Sequence, residues 1–310
     1  SAQERTVNVY NWNDYVDPKV LEDFTKETGI KVVYDLYDNN EIIETKLLAG
    51  NSGYDIVVPS GSFLYRMGKA GLFHPIDRAK LKNAGNIWAE VDKRLQAYDP
   101  GSKFGIDYMW GTVGVGLNLR KVKERLGADA PLNSWDIAFK PEVVAKLKDC
   151  GVHMLDAPED ILPAAMNYLG LPGNSVKEGD LRRAADHLMK LRGSVQKFHS
   201  SEYINALANG DICMVVGYSG DILQSRKRAE EARNGVEIIY VIPKEGAQMW
   251  FDSMAIPADA KNKDEAYAFI DYMLRADVAA KNTNFVSYAS GNLPAKAQVK
   301  PDILNNPGVY

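Results

Sequence analysis

Acids recur beside aromatic residues at the ends of apolar runs. Asn11, Trp12, Asn13, Asp14 and Tyr15 follow residues 7–10; Asp156, Glu159 and Asp160 follow 152–155; Tyr218 and Asp221 follow 211–216. Trp250 and Asp252 fall inside 249–256 and, two residues apart, point to one face of a strand. An ionised carboxylate accepts charge-assisted hydrogen bonds, and an aromatic face attracts a cation. Any one of these acids would pass for a helix cap. Several clusters at similar topological positions are harder to dismiss as caps, and Asp14 beside two aromatic faces suggests a cation, the alternative being that Trp12 and Tyr15 plug the sheet edge.

Residues for catalysis are not arranged in recognisable sets. Gly111-Thr-Val-Gly-Val-Gly116 has neither the spacing nor the following helix of a dinucleotide loop. Gly217-Tyr-Ser-Gly220 lacks the last glycine of a nucleophile elbow. His74, His153, His187 and His199 are scattered without metal-ligand spacing, and His153 alternates with apolar neighbours as a satisfied core histidine would. No catalytic residue, metal or cofactor is assigned.

The elements that must position the acids begin with a βαβ unit over residues 7–34. Asp17 caps its helix, Pro18 suits the first turn, Gly29 suits the exit, and Val20, Leu21 and Phe24 give it a buried face. Its strands should be parallel, and open α/β sheets bind ligands outside the carboxyl ends of their strands, where residues 11–15 lie. The alternation continues to the end of the chain, with helices expected at 40–48, 63–69, 141–147, 158–169, 180–191, 202–208, 219–233 and 264–274. Strand-like runs at 104–110 and 112–118 have no helix between them and mark a crossing between two lobes. The expected boundaries are 1–108 with 236–279 for one lobe, and 109–235 with 280–310 for the other.

A chain of 310 residues suits two lobes. Its net charge of −4 argues against a nucleic-acid partner. No run approaches the roughly 18 apolar residues of a membrane span. The polar start, Ser-Ala-Gln-Glu-Arg-Thr, leads straight into a strand and is compatible with a signal peptide already removed. Cys150 precedes the expected strand 152–155, and Cys213 sits inside the expected strand 211–216. They are two buried thiols in a reducing compartment or a bridge in an oxidising one.

Longer motifs carry a resemblance. Asn11-Trp-Asn-Asp-Tyr15, Tyr54-Asp-Ile-Val-Val-Pro-Ser60, Leu155-Asp-Ala-Pro-Glu159, His199-Ser-Ser-Glu-Tyr-Ile204, Ala208-Asn-Gly-Asp-Ile-Cys213, Ile242-Pro-Lys-Glu-Gly246 and Pro257-Ala-Asp-Ala-Lys-Asn262 occur in order along the chain. In them the sequence closely resembles the periplasmic polyamine-binding proteins of bacterial ABC importers, above all the putrescine-binding branch. The resemblance implies an α/β, two-lobed periplasmic-binding-protein fold (type II-like) with crossover strands and a ligand cleft that shuts by a hinge. It implies a periplasmic monomer that delivers its ligand to permease subunits, without cofactor or catalysis. Periplasmic location in turn favours a Cys150–Cys213 bridge. Family members usually continue past Pro307-Gly-Val-Tyr310.

Carried over position by position, the resemblance implies a ligand set of Trp12, Asn13, Asp14, Tyr15, Ser60, Asp160, Tyr218, Asp221, Trp250, Asp252 and Tyr288. Asp160 stands for a familiar Glu, Tyr218 for a Trp, and Trp250 for the Phe of putrescine binders. The carboxylates would fix the amine spacing while the rings cover the methylenes. The wider indole at 250 favours spermidine over putrescine, whereas Ser62 and Ala157 match the putrescine branch. Three other readings are a carbohydrate-active enzyme using an acid pair such as Asp14 and Asp252, a metal- or anion-binding relative, and a polyamine sensor or interaction protein.

Overall fold

A computed structural model describes residues 4–310. The chain forms two compact units. The first runs up to Trp110 and resumes over residues 250–306, with Tyr310; the second comprises residues 111–249 and 307–309. Strands β1 (Thr6–Trp12), β2 (Lys31–Tyr37), β3 (Ile56–Val57) and β4 (Phe73–His74) belong to the first unit. A long strand, β5 (Ile106–Asn118), carries the chain into the second, which contains β6 (Val152–Met154), β7 (Lys197–Phe198), β8 (Met214–Tyr218) and β9 (Ile238–Val241). The chain returns within β10 (Met249–Met254) and ends its strands with β11 (Ile256–Pro257) and β12 (Ala289–Ser290). The two runs expected at 104–110 and 112–118 are thus one strand.

In the first unit, β1 lies between β2 and β3 and is parallel to both. Val7 and Val9 are fully buried on one side of it, the alternation that a half-covered strand requires. The following helix, Pro18–Thr28, has the punctuation its sequence predicts: the Asp17 carboxylate accepts from Lys19 N at 3.0 Å, and Gly29 closes it at φ 74°. Its Phe24 packs edge-on against Phe269 and Tyr272, both at 5.3 Å. Beyond β3 the backbone pairs with the β10 region, with Ser253 N donating to Pro59 O at 3.1 Å and Ser60 bridged to Asp252. β4 pairs with β11, and β12 pairs with the first half of β5, both antiparallel.

In the second unit, β9, β5, β8, β6 and β7 lie side by side; β5 is antiparallel to β9 and β8, and β6 is parallel to β8 and β7. Cys150 and Cys213 are joined in a disulfide, with Cα atoms 5.5 Å apart and a sequence separation of 63. Cys213 N donates to Gly151 O at 2.9 Å, which brings the two cysteines together at the entries to β6 and β8.

Three boundaries differ from expectation. The return to the first unit falls at Trp250, not at 236, because residues 238–241 pair with residues 115–118 of β5. Residues 280–306 belong to the first unit, where the helix Ala276–Val286 is held to the start of Pro18–Thr28 by Asn282 Oδ1, which accepts from Asp17 N at 2.9 Å. The strand expected at 211–216 starts at Met214, so Cys213 precedes it rather than lying in it. His153 is buried in β6 as expected, but its Nδ1 has no hydrogen-bond partner among the described residues.

Candidate ligand-binding site

The first unit gathers eight of the expected residues around one buried acid. Asp252 is 6% exposed and accepts two short hydrogen bonds: Ser60 Oγ donates to Oδ1 at 2.7 Å and Tyr15 OH to Oδ2 at 2.8 Å. Ser60 is held in turn, since its N–H donates to Asn40 Oδ1 at 2.9 Å and its Oγ accepts from Asn40 Nδ2 at 3.1 Å. Burial pushes the Asp252 carboxyl up to about 7, against the pull of the two hydrogen bonds. Burial, with the neighbouring Asp252 charge, holds the Tyr15 hydroxyl protonated well above its ordinary range, as a donor should be.

Aromatic rings wall this acid. Tyr15 meets Tyr108 at 5.1 Å and Tyr288 at 5.2 Å, each edge to face, and Trp250 meets Tyr288 at 5.2 Å. Tyr108 OH donates to Tyr15 O at 2.5 Å and fixes the loop from beneath. Trp12 Nε1 and Tyr37 OH both donate to Val58 O, at 2.7 and 2.6 Å, and Asn13 N donates to Tyr37 O at 3.0 Å. Two non-glycine residues in the left-handed region set the rings: Asp14 (φ 54°) directly precedes Tyr15, and Ser287 (φ 65°) directly precedes Tyr288. An aspartate tolerates that conformation better than most side chains. The Asp14 carboxylate itself lies on an exposed residue.

The second unit holds the remaining three. Asp160 lies in the first turn of the helix Pro158–Tyr168, and Asp221 in the first turn of Ser219–Ala232, where helix dipoles favour negative charge. Tyr218 ends β8 and its OH donates to Asp160 Oδ2 at 2.6 Å. Tyr203 OH donates to Asp221 Oδ2 at 2.6 Å and accepts from Tyr218 N at 3.0 Å. Asp252, Asp160 and Asp221 therefore share one arrangement, a carboxylate ordered by a tyrosine hydroxyl. An ionised carboxylate presents about four lone-pair sites in all, and an ammonium group supplies three donors.

Sequence reasoning missed the supporting groups. Tyr203, Tyr108 and Asn40 were given no site role, although Tyr203 falls in the motif His199-Ser-Ser-Glu-Tyr-Ile204. It also missed Asp107 in β5, 5% exposed, neither of whose carboxyl oxygens has a partner among the described residues. Burial first, then the charges of Asp252 and Asp92, raise its carboxyl well above the usual range. No local pattern marks it; the alternation of a strand start looks the same with a solvated acid.

Each α/β unit carries buried carboxylate ordered by a tyrosine hydroxyl, Asp252 within β10 in the first and Asp160 and Asp221 in helix first turns in the second, and such groups suit a small cationic solute. The chain belongs to the bacterial extracellular solute-binding protein family, whose model matches residues 19–309. It is 51% identical over 311 residues to the putrescine-binding periplasmic protein PotF of Escherichia coli, covering 100% of this chain and 84% of that one. It is 34% identical over 306 residues to the spermidine/putrescine-binding periplasmic protein of E. coli, covering 98% and 83%. Among solved structures it is similar to the spermidine/putrescine ABC transporter substrate-binding protein PotD of Streptococcus pneumoniae, with TM-score 0.78, 33% identity, and coverage of 99% and 89%. The two-lobed α/β fold of periplasmic binding proteins is therefore the fold of this chain. Such relatives bind solutes for transport and are not enzymes, which removes the carbohydrate-cleaving reading of Asp14 and Asp252.

Proposed function

We propose that the chain captures a linear polyamine, putrescine before spermidine, in the periplasm and delivers it to the permease subunits of an ABC importer. The observation that supports this most is the repeated tyrosine–carboxylate pair: Asp252 with Tyr15 in one unit, Asp160 with Tyr218 and Asp221 with Tyr203 in the other. On this reading Asp252, Asp160 and Asp221 are the carboxylates that take the ligand's ammonium groups. Trp12, Tyr15, Trp250, Tyr288 and Tyr218 cover the methylenes, Asn13 and Asp14 belong to the same first loop, and Ser60 orients Asp252. A cation–π contact contributes about 0.5–2 kcal/mol depending on its desolvation.

Putrescine takes precedence because the relative with half its residues identical is named for it, whereas the relative at 34% identity is named for both polyamines. The case for spermidine rests on Trp250, whose indole packs against Tyr288. Native mass spectrometry of the purified protein, followed by calorimetric titration of ligand-stripped protein with putrescine, spermidine and sodium chloride, tests the reading. The expected result is a retained or added mass of one polyamine and tight binding, with putrescine tighter. Absence of heat with every polyamine overturns it.

A further inference from the structure

Tyr203 is fully buried in the short helix Tyr203–Ala208, yet its hydroxyl reaches two residues of the proposed site. It accepts from the backbone N–H of Tyr218 at 3.0 Å and donates to Asp221 Oδ2 at 2.6 Å. A phenol has one proton. With the backbone N–H pointed at the oxygen, that proton is committed to Asp221, and the bond selects the ionised carboxylate as its acceptor. The same N–H fixes the start of the Tyr218 side chain, whose own hydroxyl donates to Asp160.

The surroundings are built for this ring. A Cβ at position 217 would stand 2.9 Å from the Tyr203 ring, so only glycine lets the strand end approach it. Ser225 Oγ donates to Ile204 O at 2.7 Å and pins the tyrosine-bearing helix to the helix that carries Asp221. Gly217 and Ser225 thus hold Tyr203 at a fixed height against both partners.

We infer that Tyr203 is a positioning residue for cation recognition: it makes no ligand contact itself, but sets the ionisation and orientation of Asp221 and, through its backbone, the place of the Tyr218 ring. The inference rests on the polyamine reading above. Tyr203→Phe keeps the ring and removes the hydroxyl. Putrescine affinity should fall about tenfold, in keeping with loss of a hydrogen bond to a charged group. In an Asp221→Asn background the same change should cost about twofold or less, since coupled residues are not additive. Equal losses in both backgrounds would leave Tyr203 a packing residue and overturn the inference.

A second measurement needs no ligand. Removing a donor to the charged form raises a carboxyl's pKa. The Asp221 Cγ resonance, followed by NMR against pH in the ligand-free protein, should therefore titrate at higher pH in Tyr203→Phe, and likewise in Gly217→Ala, which displaces the ring. An unmoved midpoint in the variants overturns the inference. If the wild-type protein binds no polyamine while the midpoint moves, the ligand reading fails and the tie between Tyr203 and Asp221 stands.

Discussion

On the proposed polyamine reading, Asp252 should make ligand capture pH-dependent in a window where most carboxylates are silent. Its carboxyl is raised from 3.8 to about 7 by burial. An ammonium ligand needs the ionised form, so below that value each bound ligand must first displace a proton. Lowering the pH from about 7.5 to 5.5 should weaken binding roughly 20- to 30-fold, from the fraction of Asp252 left ionised. The ligand amines, with lysine-like values near 10, stay charged throughout. Burial first, then the charges of Asp252 and Asp92, hold the Asp107 carboxyl well above the usual carboxylate range. Stability runs the other way. Between about pH 4 and 7 the folded protein keeps a proton that the unfolded chain has lost, so ligand-free stability falls as pH rises, by about 4 kcal/mol in all, and is level above. Calorimetry in buffers of different ionisation heat measures both affinity and proton release. A flat affinity between pH 5.5 and 7.5, or an Asp252→Asn protein with the wild-type slope, would refute the reasoning.

Four further outcomes are expected. Asp221→Ala should weaken putrescine binding by about 2–5 kcal/mol, because an ammonium group loses its buried partner; calorimetry showing less than a tenfold loss would place the amine elsewhere. Trp250→Phe should lower spermidine affinity while sparing or improving putrescine binding, and an equal loss for both ligands would show that residue 250 is not the selector. Free-thiol counting on denatured, unreduced protein should find none, and reduction should remove about 4 kcal/mol of stability for a loop of this length; unaltered melting after verified reduction would count against that figure. Tyr15→Phe should abolish one of the two hydrogen bonds to Asp252 and move the affinity-versus-pH curve toward higher pH, with an unmoved curve as the contrary result.

The parts of the fold legible in the sequence are those set by neighbours in the chain. Asp17, Pro18 and Gly29 bound their helix as written, and the apolar runs became strands because their periodicity is local. Tertiary pairing was not legible. Residues 236–242 read equally well as a strand of either unit, and only pairing with Val115–Asn118 assigns them. The proposed site acids stand out in the sequence because Asp160 and Asp221 follow strands, Asp252 lies in one beside Trp250, and the pattern recurs. Tyr203 was not, since its meaning depends on Gly217 and Asp221, which reach it only once two helices and a strand are assembled. Asp107 was not, because burial of an acid without a partner leaves no mark on its neighbours in sequence.

The left-handed backbone at Asp14 and Ser287 bears on how this recognition surface could be redesigned. Each of these residues directly precedes a wall tyrosine, so the backbone turn there helps set where the Tyr15 and Tyr288 rings start. Exchanging one ring for another should retune which solute fits without shifting the loops, whereas a β-branched residue at 14 or 287 should scramble the wall even if every ring is kept. An engineer seeking a sensor for a different diamine would do best to leave those two handed positions untouched and vary only the side chains they present.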